Sequence, residues 1–251
     1  MELPGHSGYN ESQGGIGSMG RYRRISAILF WALEAFLFLD MLFFDLLHPD
    51  PLFQYFAIVL CAVFLLANPR KTGAWIATVM AFLPTLMADW FLVVRQDHQT
   101  LATGVFVFTQ MSLALRLFWG ARRPVGPRIM FYSAPLIVLV TIGWIVLGDD
   151  LDLLVGITLV YFSLLLGNVF HSLFRSPRSP GILSLGLILF ALCDVVIGIQ
   201  NGTGYLTIRE GSFLNWIVHP GFPLAWTFYL PAQALIAWSA VYEKGVHLRD
   251  I

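Results

Sequence analysis

Charge is scarce in this chain. Only 12% of its 251 residues are Asp, Glu, Lys or Arg, against about 25% in an ordinary soluble domain. Too few ionic groups remain to cover a water-soluble fold. With 57% hydrophobic residues and a mean hydropathy of +0.73, the bilayer is the solvent that suits the chain. Cysteine is nearly absent. Cys61 and Cys193 each stand alone in an apolar stretch, with no CxxC pair, so they read as small core residues; they support no zinc site and are silent on redox compartment. The signatures of common chemistries are missing as well. There is no Walker sequence, no HExxH, no complete GxSxG and no His/Cys cluster with metal-ligand spacing. Gly15, Gly17 and Gly20 spell GxGxxG without a preceding strand, and His6-Ser7-Gly8 lacks the spacing of a nucleophile elbow.

What the chain has is long apolar runs. A helix crosses the hydrocarbon core with about 20 largely apolar residues, and eight segments qualify, near 25–47, 51–67, 74–94, 101–119, 129–147, 153–174, 181–200 and 218–242. The expectation is an all-α, polytopic membrane bundle of eight transmembrane helices. Residues 1–24 read as a polar, disordered N-terminal tail, 25–242 as the membrane domain and 243–251 as a short C-terminal tail. Thirteen of the fifteen basic residues fall in the tails and in alternate loops, leaving only Arg95 and Arg209 on the other side. The positive-inside rule then puts both termini in the cytosol. The acidic turn with Asp149, Asp150 and Asp152 falls outside. Pro84, Pro135, Pro223 and Pro231 lie within the expected spans, where proline kinks helices around cavities.

Two aspartates interrupt the apolar runs. Asp89 lies in AFLPTLMADWFLVV and Asp194 in LGLILFALCDVVIGI. A charged group at mid-membrane costs about 2.5–3.5 kcal/mol on the insertion scale, so a functional role competes with simple interhelical bonding. Aligned on these aspartates, the two segments match in apolar pattern, and each following helix carries a mid-depth glutamine, Gln110 or Gln233. That pattern fits two parallel four-helix halves. Counted from the inner helix ends, Asp40, Asp89 and Asp194 fall at similar depth in the outer half of the membrane. Tyr229 lies four residues before Gln233 and shares its helical face. Together these residues describe a polar pocket. In a low-dielectric pocket two close carboxyls share protons, which sets a general acid beside a general base. Glu34 on the first helix reads as the partner of a basic residue from another helix or as a further site group. Asn168 and His171, near the inner end of the sixth, read as interface and capping residues. Asp45 and His48 lie near the outer end of the first helix.

Three stretches carry a family resemblance: TLMADWFLV (85–93), GLILFALCDVVIGI (186–199) and FYLPAQALIAWS (228–239). In order and in helix count the chain resembles the YhhN-like lysoplasmalogenase family, with Ala88 in place of a common glycine, Cys193 of a common serine and Gln110 of a common histidine. The resemblance implies hydrolysis of the vinyl-ether bond of a lysolipid to a fatty aldehyde and a glycerophospho-headgroup. It makes Asp89 and Asp194 the catalytic pair, and the polar pocket read from the residues gives Asp40, Gln110, Tyr229 and Gln233 as the expected substrate-binding groups. The expected partners are membrane lipids and the lysolipid, with no nucleic acid, no cofactor and no metal; nothing in the sequence sets an oligomeric state. A proton-coupled transporter or lipid-binding protein using the same carboxylates is the competing reading.

Overall fold

The computed structural model describes residues 12–44, 51–119, 126–148, 151–174, 181–204 and 208–242. The chain ends at 1–11 and 243–251, Asp45, His48, Asp149, Asp150 and the loop cations Arg122, Arg123, Arg175 and Arg178 lie outside these residues. The described chain is all helical and has no strand. Its order is α1 (Ser12–Leu39), α2 (Pro51–Ala67), α3 (Gly73–Asp89), α4 (Gln99–Phe118), α5 (Gly126–Leu147), α6 (Leu153–Phe174), α7 (Gly181–Asn201), the short α8 (Phe213–Val218) and α9 (Leu224–Tyr242). Seven helical stretches are long and apolar enough to cross a membrane; α2, equally apolar, has 17 residues and is shorter. Gly15, Gly17 and Gly20 lie within helix α1 and form no phosphate loop.

Side chains set several helix starts. Thr72 Oγ1 accepts the Trp75 amide at 3.2 Å ahead of α3, and Asp152 Oδ1 accepts the Val155 amide at 2.8 Å ahead of α6. Each satisfies an amide that has no partner within its helix. The expected last span, 218–242, is divided in the structure. α8 ends at Val218 and α9 starts at Leu224, directly after Pro223. A proline lacks the amide that a continuous helix needs, so it suits a helix start better than an interior. Pro84, Pro135 and Pro231 do lie inside helices. α1 and α3 both finish in a π-helical turn, Asp40–Phe44 and Trp90–Arg95, at the same end of the bundle. This is called the π-turn end below.

α9 is the most enclosed helix and packs against α7, α2, α3 and α1. An aromatic stack fixes its register. Phe30 of α1 stacks on Phe64 of α2 at 4.1 Å, while Trp238 of α9 meets Phe64 at 5.9 Å and Trp31 at 5.5 Å. At the end opposite the π turns, Arg116 of α4 is fully buried and reaches α9, donating to the Ile236 carbonyl (3.3 Å) and Ser239 Oγ (2.9 Å). Arg70 donates from Nε to the Val241 carbonyl at 2.9 Å. Cations beside the last carbonyls of a helix satisfy exposed acceptors and suit the helix dipole. α5 is the most exposed of the long helices and packs along α6.

α7 approaches α9 closely at Gly186. A Cβ there would sit 3.0 Å from Ile236 Cγ1 and 3.1 Å from the Ala232 carbonyl oxygen. A Gly186→Val substitution therefore over-packs this interface and is expected to destabilise the protein by about 1–3 kcal/mol, read as a lowered thermal midpoint in detergent. An unchanged midpoint would show that the two helices separate without penalty.

Candidate functional site

The apolar faces of α3, α6, α7 and α9 bring four polar tips together. Tyr229 of α9 donates its hydroxyl to Asp89 Oδ2 at 2.7 Å, and Tyr161 of α6 donates to Asp194 Oδ2 at 2.5 Å. Asp89 and Asp194 lie within one another's electrostatic reach, and both tyrosine hydroxyls lie in the field of Asp89. Cys193 stands within the field of both carboxylates. Asp89 is buried and Asp194 is half-buried as a residue, while both carboxyl groups themselves are enclosed. Around them runs an aromatic wall: Phe106 against Tyr161 (5.6 Å), Phe190 against Tyr229 (5.4 Å) and Trp226 against Tyr229 (5.3 Å). Such a wall keeps the local dielectric low, which strengthens every bond to the carboxyls.

Register places Asp40 in the same layer. Trp31 meets Trp238. Nine residues from Trp31 toward the π-turn end is Asp40, and nine residues from Trp238 in the same direction is Tyr229, a rise of about 13 Å on each helix. Asp40 is buried. Tyr55 of α2 completes the layer, since it feels the charge of Asp89 and meets the Trp90 ring edge-on at 5.5 Å.

A second polar layer lies one to two helical turns from the first, away from the π-turn end. Cys61 Sγ donates to Glu34 Oε1 at 3.3 Å, so the thiol of α2 meets Glu34 where a basic residue was one of the expectations. Thr85 and Thr109 pair at 3.1 Å between α3 and α4. Gln110 is fully buried, and both its carbonyl and its Oε1 accept from Asn168 Nδ2 at 3.0 Å. Asn168 Oδ1 in turn accepts from the Tyr132 hydroxyl, which also lies 3.0 Å from His171 Nδ1. Gln110 is thus tied to α6 and α5, and Asn168 and His171 form an interface. Gln233 is buried one turn from Tyr229. Glu34 Oε2, Gln110 Nε2 and Gln233 Nε2 are buried without a hydrogen-bond partner in the described structure. Unpartnered polar atoms in a membrane interior call for water or a ligand.

The comparison with protein families turns on the same helices. A model of the YhhN family matches residues 49–240, more than half of the chain. The chain belongs to the YhhN family. Neither the curated proteins nor the solved structures yield a match. The match begins just ahead of α2 and runs into α9, so it covers Asp89, Asp194, Gln110, Tyr229 and Gln233 and leaves out α1 with Glu34 and Asp40.

Two site residues of this YhhN-family chain escaped the sequence reading, Tyr161 and Tyr55. A depth count would have found the first: Tyr161 lies eight residues into α6 from the π-turn end, and Asp194 lies seven residues from the end of α7 at that same side. Removing either hydroxyl strips a carboxyl of its donor. Tyr229→Phe and Tyr161→Phe are each expected to lower stability by about 1–3 kcal/mol, because each strips an enclosed carboxyl of its tyrosine donor. Chemical or thermal unfolding of the two variants in detergent tests this, and an unchanged midpoint in either would contradict it.

Proposed function

We propose that this YhhN-family protein is a membrane-embedded hydrolase that cleaves the vinyl-ether bond of a single-chain lysolipid, with Asp89 and Asp194 as its acid–base pair. One observation carries the reading. Two carboxyls from different helices face each other's field inside an apolar layer, each oriented by a tyrosine hydroxyl. Family membership supports it, and the chemistry fits. A vinyl ether is protonated on carbon by a carboxylic acid, which leaves an oxocarbenium ion. The second group, as a carboxylate, stabilises that cation and takes a proton from the attacking water. The hemiacetal then gives its hydroxyl proton to the first group, now a carboxylate, while the second group returns the proton it took to the departing glycerol oxygen; the C–O bond breaks, the glycerol leaves as an alcohol and the chain carbon becomes the aldehyde. One water is consumed and both groups regain their starting protonation.

In this reading Asp40 and Tyr55 line the layer of the pair, and Gln233, one turn from Tyr229, orients the attacking water. α2 serves as an eighth span, since 17 residues rise about 26 Å, near the lower limit for crossing. The bias of basic residues orients both termini to the cytosol. A two-half repeat draws support from the close pairing of α3 with α4 and of α7 with α9, each an aspartate helix against a glutamine helix.

Purified protein in detergent is expected to release aldehyde from a vinyl-ether lysolipid, and Asp89→Asn and Asp194→Asn each to lose about 10²-fold or more in kcat while the fold is kept. Full activity in both folded variants would end the carboxylate mechanism. The second polar layer favours one other reading, a proton-coupled transporter, because its unpartnered atoms extend the polar path away from the aspartates. Proton uptake into vesicles that is lost in Glu34→Gln would support transport; uptake no greater than in empty vesicles would remove it.

A further inference from the structure

A trough runs down the outside of the bundle between α4 and α6. Two cavities, about 630 Å³ on the α4 side and about 420 Å³ on the α6 side, lie next to one another along it and share Ile157 in their walls. Its mouth is polar and lies at the π-turn end, with His98 on one lip and Asp152 on the other. Below the mouth the lining turns apolar through Leu101, Gly104 and Phe108 on α4 and Gly156 and Val160 on α6. The space is open at both glycines, since a Cβ added at Gly104 or Gly156 would meet nothing within 4 Å. The trough follows α4 from Gln99 to Phe108, a rise of about 14 Å. Neighbouring packed helices stand about 8–10 Å apart, so a furrow between two of them is one chain wide.

The trough runs beside the aspartate site. One residue on from the lining Val105 and Val160, the buried Phe106 and Tyr161 meet at 5.6 Å. Tyr161 is the side chain whose hydroxyl holds Asp194. The same two helices that wall the trough therefore carry, one residue on, the ring pair that screens one carboxyl of the pair. The mouth offers both signs of charge. Arg95 and His98 stand together with Asp97, at 2.9 Å and 3.7 Å, on the α4 side, and Asp152 stands on the α6 side.

We infer that the α4–α6 trough is the binding groove for the tail of a single-chain zwitterionic lysolipid, with the headgroup held between the His98 and Asp152 lips at the membrane surface. The identity of the lipid rests on the hydrolase reading, whereas the groove rests on the trough itself. The polar mouth, the apolar run and the one-chain width match an amphiphile that stands upright in one leaflet. Its glycerol would lie at the lips and its tail would run down the trough to the depth of Tyr161, eight residues into α6 or about 12 Å, so the groove holds the lipid beside the aspartate pair ahead of reaction.

The test uses the full chain in phosphatidylcholine vesicles. The probe is a lysophosphatidylethanolamine with a non-cleavable ether link and a photoactivated diazirine in its tail. Adducts are mapped by peptide mass spectrometry. They are expected to concentrate on residues 101–108 and 153–160, and to fall roughly tenfold when Gly104→Leu and Gly156→Leu fill the trough, a change of about 1.4 kcal/mol in binding. Adducts spread evenly over the lipid-facing surfaces of α1, α5 and α7 would overturn the groove, as would an unchanged yield in the folded double variant. The map of the unmodified protein decides the matter alone if the variant does not fold. Aldehyde release separates the two proposals. Adducts in the trough with no release from a vinyl-ether lysolipid would keep the groove and remove the hydrolase. Release with adducts elsewhere would do the reverse.

Discussion

The hydrogen bond from Tyr229 to Asp89 is the contact on which the site depends. A carboxyl sealed among apolar helices has no water to turn to, and an unpaired polar group there costs several kcal/mol. Its donor must come from protein, and the donor's helix must then hold a fixed register. α9 carries Tyr229, Gln233 and Trp238 along successive turns, so the position of the hydroxyl and the position of the aromatic stack are set together. Arg116 and Arg70 hold the same helix farther along, at the Ile236 and Val241 carbonyls. α9 is therefore clamped at one end and committed to a carboxyl toward the other, which explains why it is the most enclosed element.

Polar side chains elsewhere in the bundle follow the same constraint and divide into layers. In the first layer, aspartates meet tyrosines. In the second, glutamine, asparagine, threonine and thiol groups meet one another. The layers differ in their completeness. Each aspartate of the pair has its donor, while the second layer keeps three buried atoms without a partner. Neutral amides tolerate that condition better than carboxylates would, because the desolvation penalty of a charge is far larger. Glu34 is the exception, a carboxyl whose described donor is a thiol, a weak one.

Much of this was legible in the residues, for a physical reason. Carboxylates are so disfavoured in apolar runs that Asp89 and Asp194 mark themselves, and a fixed rise per residue converts their positions into a common depth. Spans are equally plain where hydrophobicity is continuous. Partners are not legible, because apolar helices do not declare their neighbours. Gln110 and Gln233 occupy matching places in sequence, yet Gln110 is drawn to Asn168 by an interface between α4 and α6 that no pattern announces. Tyr161 was hidden because tyrosine is ordinary in a membrane helix and gains meaning only when an aspartate stands opposite. The last span was misjudged at its start, 218, since hydropathy does not register that Pro223 sets the start of α9 at Leu224.

The enclosure of the two carboxyls bears on the chemistry proposed for them. Carbon is a poor base, so protonating a vinyl ether needs an acid held against the double bond, and an oxocarbenium ion needs a nearby anion while excess water is kept away. A site open to water would lose electrostatic strength to solvent. Two enclosed carboxyls, Asp89 in the field of Asp194 and each held by a tyrosine hydroxyl, keep that strength. The same enclosure means that the proposed chemistry requires the lipid to reach the pair from within the membrane, past the aromatic wall, rather than from bulk water.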